Sequence, residues 1–429
     1  MTNITLRNIL YASPAFAFAI PTFPVMIILP ALYSEKYGYD LSDIGIYLFL
    51  AKLIDIVSDP IMGWVNDKSF FSRKYWLIFG GLISGFALKK LFVLEFIPYE
   101  HYLLIWVGLL YLGWTMFQIP YLSIGYDLER NYFLRTKLSA SREFFILLGL
   151  FFSLGLPMIF EFNSGELAEY LVYVAVLSGF IGILLICFFV PTENTQKKEN
   201  KNFFLTLRNL KKNKSLIRLM AIFLINSLAN VLPMILFAFF VTYVLGGNDF
   251  DRQRVLFFYF LFAILGIPFW TLLSKKINKN HTWAVSLSLS SLFFVFVLFL
   301  DSGDLFCFII ISCLTGFCLG ADLIIPPSIQ ADITDIHKYK FKEDISGLLF
   351  SFITFINKIS FALMSLFVFG VLGILDFDTN QAINNESKRF IFFSYAFLPV
   401  VLKLISGFLL INFKSNQNEQ VKIQKKIYG

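Results

Sequence analysis

Residues 52–64 read KLIDIVSDPIMGW and place one lysine and two aspartates inside an apolar stretch long enough to cross a bilayer. Asp55 and Asp59 are four residues apart, so a helix brings both carboxylates onto one face, one turn apart. A charge at bilayer depth costs about 2.5–3.5 kcal/mol on insertion scales, and such residues generally have a function. Two stacked carboxylates suit a small cation, because hard ions prefer oxygen ligands.

Two interpretations of this pair remain open. In the first, Asp55 and Asp59 bind a coupling cation, and the hydroxyl of Ser58 supplies a further oxygen. In the second, Lys52 neutralises Asp55 from one turn away, and the group is only a structural ion pair. A buried ion pair is a costly way to stabilise a fold compared with apolar packing, which favours the first interpretation.

The composition defines a helical membrane protein. Of the 429 residues, 57% are hydrophobic and 15% are charged, whereas a soluble domain has about 25% charged residues. Long unbroken apolar runs indicate helices, because barrel strands alternate over about ten residues. The predicted fold class is an all-α membrane protein of twelve transmembrane helices in two six-helix halves. The predicted spans cover residues 9–33, 43–66, 75–97, 101–124, 139–161, 167–191, 216–245, 253–274, 282–300, 304–331, 345–374 and 388–413.

A polar linker divides the chain. We predict an N-terminal six-helix bundle over residues 1–191 and a cytoplasmic linker over residues 192–215, followed by a C-terminal six-helix bundle over residues 216–413 and a cytoplasmic tail over residues 414–429. Similar segments around Asp127 and Asp332 follow spans four and ten. Such an internal repeat is typical of two parallel halves in a transporter.

Lysine and arginine are concentrated in one set of loops, and acids dominate the other set. By the positive-inside rule the basic loops and both termini are cytoplasmic, in a multi-pass protein of the inner or plasma membrane. The net charge of +7 follows from the same bias, and the scattered basic residues exclude nucleic acid as a partner. Four basic residues depart from this distribution of charge between the loops: Arg252, Arg254, Lys388 and Arg389.

The expected partners are the lipid bilayer, a small-molecule solute and a coupling cation, and the protein is expected to act as a monomer.

The sequence gives no indication of catalysis. It contains neither a phosphate-binding glycine loop nor a zinc-binding HExxH pair, and no polar region is long enough for a nucleotide-binding domain. The four cysteines lie in apolar runs without zinc-ligand spacing. We therefore predict a protein that is not an enzyme and has no cofactor, with H⁺ or Na⁺ at Asp55 and Asp59 as the coupling ion.

Polar residues inside two spans of the first half are further candidates. Gln118 in span four either binds cation or substrate, or joins two helices by a hydrogen bond. Arg142 at the start of span five offers a planar fork for a carboxylate, a phosphate or sugar hydroxyls, or else extends to the membrane interface. Glu143 is expected to point elsewhere, since adjacent helical residues do not face each other.

The second half contributes Asp322 and Lys358 as candidate substrate-binding residues. Asp322 precedes Pro326 and Pro327, which we expect to break the helix where it lines a cavity. Lys358 lies too deep in span eleven to reach the interface, so we expect it to pair with Asp322 or with the aspartates of span two.

The segment that follows Asp59 is predicted to be a gating latch between helices. Gly63 permits close helix packing, and the charges of Asp67, Arg73 and Lys74 are expected to regroup as the protein alternates between states. A simply solvated loop is the alternative.

Four segments together resemble the glycoside–pentoside–hexuronide:cation symporter family, the melibiose-permease-like branch of the major facilitator superfamily. The segments are residues 55–64, residues 118–120, Arg142 with the two phenylalanines at residues 144–145, and residues 331–335 with Lys358 downstream. Their order and spacing cover nearly the whole chain.

The resemblance implies that Asp55 and Asp59 bind Na⁺, Li⁺ or H⁺. Gln118 stands where the family often carries an acid shared by cation and sugar, which makes a proton more plausible as the coupling ion. Ala19 and Leu122 stand where an acid and an aromatic residue are expected for sugar binding, so the galactoside pocket is not reproduced. The family also includes lysolipid carriers, and the fold does not determine the substrate.

The favoured interpretation is a secondary active transporter that couples symport of a small solute, a sugar or sugar-like compound, to H⁺ or Na⁺ by alternating access. One alternative is a carrier of lysolipids or other amphiphiles with the same fold. Another is a membrane scaffold or sensor that transports nothing, which predicts that neutralising Asp55 and Asp59 leaves function intact.

Overall fold

The protein is described here from a computed structural model. The structure describes residues 4–22, 24–68, 71–94, 98–160, 164–191, 203–377, 384–413 and 417–428. These residues form two compact units, one of Met1–Phe203 with His337–Phe355 and one of Phe204–Ile336 with Ile356–Ile427. The predicted linker residues 192–202 and tail residues 414–416 and 429 lie outside the described part of the chain.

The first half of the chain folds into seven α-helices among the described residues, and all of them except the second are long. They are α1 (Ile4–Ala19), α2 (Leu29–Glu35), α3 (Leu41–Lys68), α4 (Arg73–Phe92), α5 (Tyr102–Leu128), α6 (Tyr132–Ile159) and α7 (Ser164–Phe189).

The second half repeats this all-helical pattern, with two short helices at its borders. Its helices are α8 (Phe203–Lys212), α9 (Lys214–Phe239), α10 (Asp249–Lys276), α11 (Lys279–Val295), α12 (Leu305–Phe341), α13 (Ser346–Ile374), α14 (Asn385–Ala396), α15 (Leu398–Ile411) and α16 (Gln417–Tyr428).

Eleven spans among the described residues are long and apolar enough to cross a membrane. The remaining predicted span corresponds to α3, which has 28 residues but contains Lys52, Asp55 and Asp59 in its middle. Helix α3 therefore has the length of a transmembrane helix and an unusual charge content, as expected for a helix that carries a functional site.

Proline has different effects in two spans. In the first span, α1 contains Pro14 and ends at Ala19, and a π-helical turn over Pro24–Ile28 precedes α2, so this span is interrupted. The predicted break at Pro326 and Pro327 is wrong, because α12 continues over 37 residues through both prolines. A helix loses only the hydrogen bonds of the proline nitrogens, and packing of the flanking turns can maintain it.

Each unit has its own apolar core. In the first unit, Leu29, Leu103 and Leu110 are fully buried in one cluster. In the second, Leu236, Phe240 and Ile391 are equally buried. Helices α4 and α5 approach so closely that a Cβ on Gly80 would lie 2.7 Å from the carbonyl oxygen of Gly113. Only glycine fits that helix crossing.

Candidate functional site

The acidic face of α3 meets α5 in the core of the first unit. Asp55, Ser58 and Asp59 are 3%, 8% and 0% exposed. The hydroxyl of Thr115 on α5 donates to Asp59 Oδ1 at 2.9 Å and lies 3.4 Å from Asp55 Oδ1. The Ser58 hydroxyl lies 3.1 Å from Thr115 Oγ1 and 3.0 Å from the carbonyl oxygen of Asp55. Two carboxylates and two hydroxyls thus converge on one buried, oxygen-rich position.

Lys52 belongs to the same group. Its Nζ lies 2.8 Å from Asp55 Oδ2 and 4.8 Å from the centre of the Tyr111 ring, and its side chain is 27% exposed. The ion pair of the second interpretation is therefore present. The carboxylate of Asp59 lies beside this pair and accepts the hydrogen bond of Thr115.

Gln118 lies one turn beyond Thr115 on α5 and is half-buried. Among the residues that the structure describes, none forms a hydrogen bond with the side-chain amide of Gln118. The assignment of Gln118 to the cation site and to the substrate site remains a prediction. The residue of α5 that forms a hydrogen bond with the aspartate pair is Thr115.

Arg142 is buried and paired with Glu143, so the expectation that Glu143 points elsewhere is wrong. Both residues are 7% exposed, and Arg142 Nη2 and Nε lie 2.6 and 3.0 Å from Glu143 Oε1. The long arginine side chain folds back on its neighbour because a buried guanidinium requires a counter-charge. The arginine also interacts with Tyr11, which stacks on Tyr121 at 4.7 Å between ring centres.

The predicted gate is a contact between α3 and the start of α13, both within the first unit. Asp67 accepts hydrogen bonds from the backbone N–H groups of Gly347 and Leu348, each at 2.8 Å. A Cβ on Gly63 would lie 2.6 Å from Ser351 Oγ and 2.9 Å from the carbonyl oxygen of Gly347. An aspartate at a helix N-terminus satisfies free N–H groups and complements the helix dipole.

Arg73 takes part in this contact and Lys74 does not. Arg73 pairs with Asp127, and its Nη2 donates to Ser346 Oγ at 2.8 Å. Lys74 Nζ instead donates to the carbonyl oxygen of Cys187 on α7 at 2.8 Å. Adjacent helical residues leave the axis in different directions, so only the first of these two basic residues faces α13.

The internal repeat predicted from sequence is visible as a similar ion pair in each half of the chain. Lys279 at the start of α11 pairs with Asp332 on α12 at 2.6 Å, as Arg73 at the start of α4 pairs with Asp127 on α5. Each half therefore holds a cation and an aspartate at equivalent helix ends, as two parallel repeats would.

Asp322 is the centre of a polar cluster in the second unit. Its Oδ1 accepts hydrogen bonds from Asn226 Nδ2 at 2.8 Å and Trp283 Nε1 at 2.7 Å. Its Oδ2 accepts one from Asn230 Nδ2 at 2.7 Å, and Lys403 Nζ lies 3.4 Å away. Donors from α9, α11 and α15 thus surround one carboxylate on α12, which satisfies the rule that buried charges are compensated.

Lys403 supplies the lysine contact of Asp322 that was expected from Lys358. Lys358 lies half-buried in α13, and its role in substrate binding remains a prediction. Sequence reasoning missed Lys403 and Thr115. The first is a lysine in the last apolar span, so the rule that selected Lys358 also applies to it. Threonine is too common in apolar helices to stand out.

Sequence comparison identifies the family. A family described as MFS/sugar transport protein matches residues 10–417 of the chain. The chain belongs to this family. The predicted melibiose-permease-like resemblance and the major facilitator fold are therefore confirmed, and the protein is a multi-pass membrane transporter of that superfamily.

Individual relatives add detail. The chain is 26% identical to the sodium-dependent lysophosphatidylcholine symporter 1 of Gallus gallus over 364 residues, which are 73% of this chain and 68% of the relative. It is 25% identical to the Homo sapiens protein of the same name over 89% of this chain and 78% of that one. Among solved structures it resembles the E. coli fucose:proton symporter FucP, with a TM-score of 0.70 at 12% identity, covering 96% of this chain and 100% of the other. That likeness concerns the fold alone.

Proposed function

We propose that this family member is a Na⁺-coupled symporter of lysophospholipids, with a lysophosphatidylcholine-like amphiphile as substrate. The observation that carries the proposal is the buried group of Asp55, Asp59, Ser58 and Thr115, whose oxygens suit Na⁺. Relatives covering most of the chain are named as sodium-dependent lysophosphatidylcholine symporters, which supports both the ion and the substrate class.

The substrate side also favours an amphiphile over the sugar that the sequence first suggested. Ala19, at the position of the expected sugar-binding acid, is 4% exposed and packs beside Gly149 of α6. The family description keeps a sugar as the second candidate.

In this proposal Asp55 and Asp59 bind Na⁺ together with Ser58 and Thr115. Gln118 and Arg142 border the cation and substrate sites, and Asp322 and Lys358 contribute from the second half. Gly63, Asp67 and Arg73 form the gate. The transporter works in the plasma or inner membrane with cytoplasmic termini. Coupling arises because cation and substrate favour the same state, so each raises the affinity for the other.

The test is uptake of labelled lysophosphatidylcholine and of a labelled hexose into cells under an imposed Na⁺ or H⁺ gradient. Lysolipids partition passively into membranes, so cells that lack the protein define the background. Lysolipid uptake above that background only with Na⁺ supports the proposal. Hexose uptake driven by either ion, without lysolipid uptake, would establish the sugar candidate. Lysolipid uptake above background that is the same in an Asp59→Asn variant and the wild type would contradict the cation site.

A further inference from the structure

The polar cluster around Asp322 has a buried side and a more open side. On the Oδ1 side, Asn226 is 2% exposed and Trp283 is fully buried. On the Oδ2 side, Asn230 is half-buried and the Lys403 side chain is 14% exposed, against 3% for that of Asp322. A ligand that approaches the cluster within this unit meets Lys403 and Asn230 first.

The contacts of Asp322 are unequal. Three neutral donors lie at 2.7–2.8 Å, whereas the ammonium of Lys403 lies at 3.4 Å. Full hydrogen bonds have donor–acceptor distances near 2.9 Å, so the contact to Lys403 is the loosest of the four. Asp322 therefore keeps three hydrogen bonds if the ammonium turns to another anion.

We propose that Lys403 binds the phosphodiester group of the lysophospholipid, with Asn230 as a second donor and Asp322 as a positioning residue. A lysine ammonium binds phosphate as a point charge, and the amide N–H of asparagine complements it. Asp322 supplies the counter-charge that makes a lysine tolerable in a membrane helix when no substrate is bound. The substrate phosphate takes over that role when it binds.

This inference rests on the proposed function and adds a specificity determinant to it. A neutral amphiphile such as a monoacylglycerol has the acyl chain without the phosphate. It cannot use the ammonium, so selectivity for phosphate-bearing substrates should depend on Lys403.

The experiment measures Na⁺-driven uptake of labelled lysophosphatidylcholine by wild type, Lys403→Gln, Lys403→Arg and the control Lys275→Gln, which removes an exposed lysine. Competitors are glycerophosphocholine, which is the head group alone, and a monoacylglycerol of the same chain length. For Lys403→Gln we expect KM to rise at least about tenfold, as for a lost charge-assisted contact. Glycerophosphocholine should compete in the wild type and not in this variant, and inhibition by monoacylglycerol and the Na⁺ requirement should be unchanged.

The double variant Asp322→Asn/Lys403→Gln separates binding from structure. If Lys403 only neutralises Asp322, removing both charges restores uptake, and the inference is wrong. If Lys403 binds phosphate, the double variant stays weak, and Lys403→Arg, which keeps the charge, retains most of the affinity. Equal KM in Lys403→Gln and wild type overturns the inference and leaves the proposed function intact. A wild type that transports no lysophospholipid overturns both.

Discussion

The hydroxyl of Thr115 on α5 donates a hydrogen bond to the carboxylate of Asp59 on α3 over 2.9 Å. The same oxygen accepts from Ser58 at 3.1 Å, so α3 and α5 are joined at the acidic face by hydroxyl groups. A hydroxyl that donates to a carboxylate still has lone pairs for a cation. Thr115 can therefore fix the two helices and contribute an oxygen to the ion.

Replacing Thr115 tests its part in the cation site. Thr115→Val keeps the side-chain shape and removes the hydroxyl, whereas Thr115→Ser retains it. A net hydrogen bond contributes about 0.5–1.5 kcal/mol, and about 1.4 kcal/mol is a tenfold change in affinity. We expect the Na⁺ concentration for half-maximal uptake to rise up to about tenfold in Thr115→Val and to change little in Thr115→Ser. Identical Na⁺ dependence in Thr115→Val and the wild type would remove Thr115 from the site.

Neutralising the most buried acid of the group should uncouple transport. Asp59 is 0% exposed, and Asp59→Asn preserves its size while it removes the carboxylate that the cation would bind. We expect Na⁺-driven accumulation to be lost while the purified protein remains folded. Asp43→Asn, an exposed acid at the start of the same helix, is the matched control and should accumulate substrate normally. Accumulation by Asp59→Asn against a gradient would refute the cation assignment. A scaffold or sensor predicts that neither the variant nor the wild type accumulates substrate.

Sequence alone was sufficient to predict the membrane class and to single out the two acids of α3, which the structure buries. Apolar runs of about 20 residues define spans, and charges inside them are rare enough to be informative. The ligand from α5 was not predictable in the same way. The amide of Gln118 inside span four marks it as a candidate, yet the aspartates contact Thr115, one turn earlier. Which face of a helix meets its neighbour is decided by packing, for example at Gly80 and Gly113.

Long side chains account for the other differences. Glu143 should face away from Arg142 by helix periodicity, but the guanidinium reaches it at 2.6 Å. Lys403 contacts Asp322 across 81 residues of sequence, and no local pattern encodes that distance. Burial forces charges to find partners, but tertiary geometry decides which partner is within reach.

A methyl group at Gly63 should disturb the gate. Helix α3 offers a matched pair, because a Cβ on Gly63 would lie 2.9 Å from backbone atoms of α13, whereas a Cβ on Gly45 meets nothing within 4 Å. Alanine is the better helix former by about 1 kcal/mol, so Gly45→Ala should be neutral or stabilising. We expect Gly63→Ala to lower both thermal stability and the uptake rate, since the opposing backbone cannot move cheaply. Equal behaviour of the two variants would mean that α3 and α13 do not need this close contact.

The pair of Arg142 and Glu143 allows structural and functional roles to be separated. Arg142→Met alone leaves Glu143 as an uncompensated charge that is 7% exposed, and breaking a buried pair in this way typically costs about 3–5 kcal/mol. The double variant Arg142→Met/Glu143→Gln removes both charges and should regain most of the thermal stability. Because Arg142 is proposed to border the substrate site, we expect the double variant to remain inactive in uptake even though it folds. Normal substrate KM in the double variant would show that the arginine serves only to neutralise its neighbour.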